Sequence, residues 1–290
     1  MSPCNATPYL TVLMPAYNEE ANLAANVPPL LAKLSALGID FELLIVDDGS
    51  YDATPRLADE LAASHVQVRA LHHDRNRGIG RALYTGFQGA RGRYTIFIPA
   101  DLAMDLDDLS KYLDAVQEAD VVVGLRSDRR GTPLARRMVS LVNIALVRLL
   151  FGMPIRQFQY ICMWPTRLLH EIAIEYPDSP FLQAEVLIKA RDMGYRLAEV
   201  EVIYLPRTRG RPTGGRTRMV IKSAYDLFHF WLRWLFRRRS THGRRDWRVI
   251  AGSKPPIASN ESTSASATAP DESVTRSAAS GLARSGQEGA

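Results

Sequence analysis

Three short stretches carry carboxylates in a pattern suited to a polar, hydroxyl-rich ligand. They are Pro15-Ala-Tyr-Asn-Glu19, Asp47-Asp-Gly-Ser50 and Pro99-Ala-Asp101. Each follows an apolar run, LTVLM, FELLIV and YTIFI respectively. A carboxylate accepts paired hydrogen bonds from vicinal hydroxyls or a nucleobase N–H edge, and it can hold a hard divalent cation. A lone Asp-Asp-Gly-Ser is as readily a turn, with Gly49 supplying a positive φ and Asp48 capping the next helix. Three such strand ends together point to a site.

The elements that must position these residues follow from periodicity. Strands are expected at residues 10–15, 41–46, 66–71, 93–98 and 120–124. Helices are expected at 21–37, across Pro28-Pro29, and at 52–64, 78–91 and 105–118. Asp52 is the expected N-cap of the second helix, with Pro55 in its first turn. Strands alternating with helices predict an α/β fold whose mostly parallel sheet is flanked by helices. Ligands of such sheets bind beyond the carboxyl ends of the strands. The three acidic ends are therefore predicted to converge on one rim.

The chain has 290 residues, 46% hydrophobic and 23% charged, which suits a globular protein with a sizeable core rather than a disordered chain. Cys4 and Cys162 form neither a metal-ligand spacing nor a disulfide framework. The N-terminus is not expected to be a signal peptide, and no run reaches the roughly 18 apolar residues of a spanning helix. Two segments approach it. Residues 138–153 are interrupted by Asn143 and Arg148. Residues 219–239 carry Phe228, Phe230, Trp231, Trp234 and Phe236 before three arginines. Both read either as interfacial helices, with aromatics at the headgroup level and arginines on anionic lipid, or as helices packed on the sheet. The expected layout is a flexible 1–8, a main domain over 9–215, an amphipathic helix over 216–240, and a basic then low-complexity, disordered tail over 241–290.

The ordered set Pro15-Ala-Tyr-Asn-Glu19, Asp47-Asp-Gly-Ser-Tyr-Asp-Ala-Thr54, Asn76-Arg-Gly-Ile-Gly-Arg-Ala82 and Pro99-Ala-Asp101 resembles the family 2 glycosyltransferases. Within them it is similar to the dolichyl-phosphate mannose synthases and other polyprenyl-phosphate sugar transferases, over roughly residues 9–215. The resemblance implies a GT-A fold and an inverting transfer of a hexose from a nucleotide-sugar, of GDP-mannose or UDP-glucose type, to a polyprenyl phosphate. It implies a peripheral enzyme on the cytoplasmic face of the membrane, with no nucleic-acid partner. Pro15, Tyr17, Glu19, Asp47, Asp48, Asn76, Gly78, Ala100 and Asp101 would contact the nucleotide-sugar. Arg77 and Arg81 would lie near donor phosphates, where Gly78 and Gly80 let backbone approach a ligand at a helix N-terminus. Asp101 would hold Mg²⁺ or Mn²⁺. Here the chain departs from the family's Asp-x-Asp: Pro99 stands at the first aspartate and Ala103 where a glutamine often follows.

The later matches are looser. Arg126, with Arg129 and Arg130, would meet an anionic acceptor or diphosphate. Gln157 and Gln159 stand where relatives carry charge. Glu185 would be the acidic residue near the acceptor. Arg207, with Gly210 in the family's Arg-x-x-Gly-x-Ser loop, would neutralise phosphate together with Arg209 and Arg211, although Pro212 and Thr213 alter the small-polar position. A phosphate acceptor is already an anion, so placing it matters more than a strong base. The catalytic set on this reading is Asp101, Glu185 and Arg207. Rival readings are a transferase to a hydroxyl acceptor, which needs a real base, a non-catalytic nucleotide-sugar-binding or membrane scaffold, and, ranked low, a nucleotidyltransferase.

Overall fold

The computed structural model describes residues 7–126, 134–158, 160–205 and 217–240. Cys4, Arg129, Arg130, Gln159, Arg207, Arg209, Arg211, Pro212, Thr213 and the 241–290 tail lie outside the described residues.

Five strands fall where periodicity places them: β1 (Leu10–Ala16), β2 (Phe41–Asp47), β3 (Val68–His72), β4 (Tyr94–Phe97) and β5 (Val121–Arg126). Two more complete the sheet, β6 (Cys162–Pro165) and β7 (Leu197–Val202). The order is β3-β2-β1-β4-β6-β5-β7. All neighbouring pairs are parallel except those of β6, which runs antiparallel to both β4 and β5.

Alternation along the strands sorts the core onto two faces. Leu43 and Ile45 point to the face covered by α1 (Glu20–Ala36), α2 (Thr54–Ser64) and α4 (Leu109–Ala115). Leu44 and Val46 point to the face covered by α3 (Ile79–Gly89), α5 (Leu134–Phe151), α6 (Thr166–Glu171), α7 (Leu182–Asp192) and α8 (Thr217–Ser240). Two expected boundaries shift. The 105–118 segment opens with a 3₁₀ turn at Leu106–Asp108, so its α-helix is shorter. The N-cap of α2 is Ala53 rather than Asp52, whose carboxylate nevertheless accepts from the Thr54 N–H at 2.9 Å.

The edge strand β3 is fastened by charge. His72 Nδ1 meets Asp47 Oδ2 of β2 at 3.1 Å, and its Nε2 meets Asp59 Oδ1 of α2 at 3.0 Å. Burial acts to lower the His72 pKa, but the hydrogen bonds and charges of Asp47 and Asp59 outweigh it and raise the pKa above 6.5.

The two near-apolar segments are helices with one face in the core and one in solvent. Leu227, Phe230 and Trp234 of α8 are buried, whereas Ile221, Tyr225, Phe228 and Phe236 are exposed. Phe230 and Trp234 are thus core aromatics rather than headgroup anchors. On α5, Val147 and Phe151 are buried, whereas Met138, Val139, Leu141, Val142, Leu146 and Leu149 are exposed. Phe151 stacks on Phe230 and meets Trp234 edge-on.

Glu185 braces this helix layer. It lies fully buried on α7 beside the equally buried Lys189, 2.6 Å from Oε1 to Nζ. Its oxygens also accept the backbone N–H groups of Glu175 and Tyr176, at 2.6 and 3.0 Å. Burial pushes the Glu185 carboxyl up, while Lys189 and those N–H groups pull against it. The segment so held carries α8, through Glu175–Arg233 at 2.8 Å and Tyr176 Oη–His229 Nδ1 at 2.7 Å.

Two outcomes follow for stability. Lys189→Met strands a buried carboxylate and costs about 3–5 kcal/mol, whereas Glu185→Leu/Lys189→Met recovers part of that loss. Chemical denaturation checks both, and a single variant as stable as the wild type would refute the brace. The contribution of protonated His72 is fully present below pH 6.5 and is lost as pH rises through its raised folded pKa. The melting-temperature gap between wild type and His72→Gln therefore narrows from acid to alkaline pH.

Candidate active site

β4, β1 and β2 are neighbours and parallel, so their carboxyl ends share one edge of the sheet. Asp101, Glu19 and Asp48 follow those three ends.

Asp47 and Asp48, adjacent in sequence, belong to opposite faces. Asp47 continues the row of Leu43 and Ile45, which explains its meeting with His72 and α2. Asp48 continues the row of Leu44 and Val46, towards α3. It is 3% exposed and accepts three hydrogen bonds: Arg77 N–H at 2.9 Å and His73 Nδ1 at 2.7 Å on Oδ1, and Gly78 N–H at 2.7 Å on Oδ2. His73 Nε2 also contacts Thr85 Oγ1 at 2.9 Å. The tautomer with Nδ1–H satisfies both partners.

This corrects two expectations. Asp48 serves the entry to α3 rather than α2. The N–H groups of Arg77 and Gly78, expected to face a ligand, are taken by Asp48. Gly80 has a packing reason, because a Cβ there would stand 2.4 Å from the Ser179 carbonyl oxygen. Gly78 keeps a conformational reason, with φ of +90°. Arg77 pairs with Asp74 at 3.2 Å, and Arg81 pairs with Asp178. Gly49 combines φ of +66° with close approach, since a Cβ would meet the Arg75 backbone at 2.3 Å.

The loops after β1 and β2 are laced together. Asn18 N–H donates to Ser50 Oγ at 2.9 Å, and Tyr51 N–H returns to Asn18 Oδ1 at 3.1 Å. Glu19 N–H donates to Thr54 Oγ1 at 2.8 Å, and Ala53 N–H to Glu20 Oε2 at 2.9 Å. The Glu19 carboxylate accepts from Asn22 Nδ2. Pro15 is buried inside β1, and Tyr17 meets the exposed Tyr51 edge-on. Asn76 is exposed on the loop before α3.

After β4 the chain makes a tight turn. Leu102 N–H donates to the Pro99 carbonyl at 2.9 Å, and Leu102 has φ of +44°. A leucine in the left-handed region costs about 1–3 kcal/mol and persists only where neighbours hold it. Here Asn26 Nδ2 donates to the Ala100 carbonyl at 2.8 Å, and the Tyr160 hydroxyl to the Ala103 carbonyl at 2.6 Å. Asp101 sits within this turn. Among the described residues no group of three or more His, Cys, Asp or Glu could hold a metal ion. At this turn the carboxylate in question is that of Asp101. A single carboxylate is a sufficient protein ligand only for a cation such as Mg²⁺, which keeps several waters and takes further oxygens from substrate phosphates.

At the end of β5, the Arg126 guanidinium lies between two aromatic faces, 4.4 Å from the Tyr160 ring centroid and 4.6 Å from that of Tyr204. Its backbone N–H donates to Gln157 Oε1 at 3.1 Å. Asp101 and Arg126 both bear electrostatically on the Tyr160 hydroxyl. Glu185 is not on this open edge but in the buried brace described above. Sequence reasoning did not single out His73, Asn26 or Tyr160. For His73 a signal existed, since the parallel register sets His72 beside Asp47.

Residues 11–172 of the chain match the model of a family described as Glycosyl transferase family 2. Glycosyltransferase AglD of Haloferax volcanii is 30% identical over 84% of this chain and 40% of its own length. An undecaprenyl-phosphate 4-deoxy-4-formamido-L-arabinose transferase of Aeromonas hydrophila is 26% identical over 75% of this chain and 66% of its own. A polyprenol monophosphomannose synthase of Mycolicibacterium smegmatis is 31% identical over 69% and 78%. The chain thus spans less than two thirds of the first two relatives' lengths. In fold it is similar to glucosyl-3-phosphoglycerate synthase of Mycobacterium tuberculosis, crystallised with Mn²⁺, UDP-glucose and phosphoglyceric acid. The TM-score is 0.60, at 19% identity over 77% of this chain and 80% of that one. The mixed seven-stranded sheet with flanking helices is a GT-A-like fold. With its model match across residues 11–172 and relatives at 30% and 31% identity over most of its length, this chain belongs to glycosyl transferase family 2.

Proposed function

We propose that the protein moves a hexose from a nucleotide-sugar to a polyprenyl phosphate, with inversion, at a membrane surface. The carrying observation is the single edge on which Glu19, Asp48 and Asp101 follow neighbouring parallel strands. The names of the Aeromonas and Mycolicibacterium relatives support the acceptor class.

Asp48 fixes the α3 entry and keeps one acceptance, on Oδ2, for a base edge or a ribose hydroxyl, since each carboxylate oxygen can accept about two hydrogen bonds. Glu19, on the laced rim beside it, and the buried Pro15 shape the floor of the nucleotide site, with Tyr17 and Asn76 at its margins. Asp101 with the Ala100 backbone faces the diphosphate. A divalent cation bound at Asp101 would neutralise charge developing on the leaving diphosphate. Arg126 holds the acceptor phosphate, and Arg207, Arg209 and Arg211, outside the described residues, would supply further positive charge for it. An acceptor oxygen attacks the anomeric carbon opposite the departing diphosphate, which inverts that centre. Glu185 supports the phosphate acceptor in a negative way. The residue offered as a possible base has both oxygens occupied in the interior, and a phosphate dianion needs no base.

The exposed apolar residues of α5 and α8 support contact with a lipid surface. Lys222, Arg148 and Arg233 lie on the same helices, and Arg244, Arg245 and Arg248 follow in the sequence. No described helix is long and apolar enough to cross a membrane. A cytoplasmic leaflet rich in anionic lipid fits this charge.

The decisive assay offers a panel of GDP- and UDP-sugars with a short polyprenyl phosphate and reads the lipid by mass spectrometry. One hexosyl phosphate lipid is expected, reduced at least a hundredfold by Asp101→Asn. Transfer only to hydroxyl lipids, or none at all, would overturn the proposal. In flotation assays the protein is expected to bind vesicles containing phosphatidylglycerol more tightly than pure phosphatidylcholine, with salt weakening the binding. Phe228→Asp/Phe236→Asp should reduce that binding at least tenfold.

A further inference from the structure

We infer that Tyr160 is a positioning residue that joins the two halves of the reaction centre. Its hydroxyl fixes the strained turn that carries Asp101, and its ring fixes the guanidinium of Arg126. The inference rests on the reading above, in which Asp101 faces the donor diphosphate and Arg126 the acceptor phosphate.

Tyr160 is 3% exposed, and the Gln183 side-chain amide donates to its carbonyl at 3.3 Å. The residue is thus anchored by its backbone as well as by packing. Its hydroxyl donates to the Ala103 carbonyl at 2.6 Å, one residue beyond Leu102 with its φ of +44°. Burial pushes the hydroxyl pKa far up, so it stays a donor at any physiological pH. Without that donor the turn loses a tether next to its most strained residue, and the backbone that carries Asp101 loses a restraint.

The ring acts on a different partner. Arg126 lies between the faces of Tyr160 and Tyr204, at 4.4 and 4.6 Å. A guanidinium held by its faces keeps its N–H donors in its own plane, free to meet oxygens edge-on. Among the described residues no carboxylate pairs with Arg126, and its Nε makes no hydrogen bond. The two rings therefore orient a cation without consuming its donors, which suits the capture of a phosphate. Tyr204 shares only this second task, because its ring is the other half of the clamp.

The division of labour is separable by substitution. Tyr160→Phe removes the hydroxyl and keeps the ring, whereas Tyr204→Leu removes one face of the clamp and keeps the tether. Nucleotide binding is measured by calorimetry with GDP and UDP plus Mn²⁺. Acceptor KM is measured with a short polyprenyl phosphate in detergent micelles, and melting temperatures are recorded for both variants. Tyr160→Phe should weaken metal-dependent nucleotide binding about three- to tenfold, the span of one lost hydrogen bond, with acceptor KM unchanged. Tyr204→Leu should raise acceptor KM about three- to thirtyfold, the span of a desolvated cation–π contact, with nucleotide binding unchanged. Tyr160→Leu should show both defects. Variants that keep wild-type constants, or that lose both bindings together in step with melting temperature, would overturn the coupling and leave the functional reading intact. An unaltered protein that binds neither nucleotide nor lipid phosphate would overturn both.

Discussion

The buried carboxylate of Asp48 is the constraint around which the site is built. A charge 3% exposed is tolerable only where several donors converge on it. Those donors come from the His73 side chain and from the Arg77 and Gly78 backbone. Satisfying one oxygen pair therefore fixes the end of β2, the loop beyond β3 and the first turn of α3 at once. Gly49 and Gly80 permit the backbone approaches that result, against Arg75 and Ser179. The rim is rigid because its charge has to be paid for by geometry, and a preorganised rim needs little rearrangement to receive a polar ligand.

A second buried charge organises the other side of the sheet. Glu185 and Lys189 neutralise each other in the interior and hold the 173–176 segment through backbone N–H and carbonyl groups. That segment receives α8, whose inner face fills the core while its outer face stays apolar and exposed. The same helix thus closes the core on one side and keeps an exposed apolar face on the other. Phe151, Phe230 and Trp234 bind α5 and α8 into one layer, so a lipid contact made by either helix would be shared by both.

Family membership and the departures from it are consistent with the physics of the Asp101 turn. Pro99 replaces a carboxylate, yet it also fixes the turn that Leu102 closes by donating to the Pro99 carbonyl. Asn26 and Tyr160 reinforce that turn from opposite sides. The turn that carries Asp101 is thus held at its Ala100 and Ala103 carbonyls.

Much of this was legible in the residue order. Apolar runs ending in acidic loops indicated the first five strands and the shared edge after which Glu19, Asp48 and Asp101 follow, because a parallel α/β sheet leaves little choice about where strand ends point. The short run at β6 carries no periodicity, and its antiparallel insertion between β4 and β5 depends on pairing partners far away in the chain. β7 carries a strand-like alternation only over Glu199-Val200-Glu201-Val202, too short to mark a strand by itself. What only the tertiary structure decided was the partner of each charge. Residue type says that Asp48, Glu185 and Arg126 are polar. Burial and long-range contact make the first a hub for backbone N–H groups, the second an interior brace, and the third a cation clamped between Tyr160 and Tyr204. The Asp48 and Arg126 contacts join residues tens of positions apart, and those of Glu185 depend on how the chain before α7 folds back, so local sequence does not encode the partners.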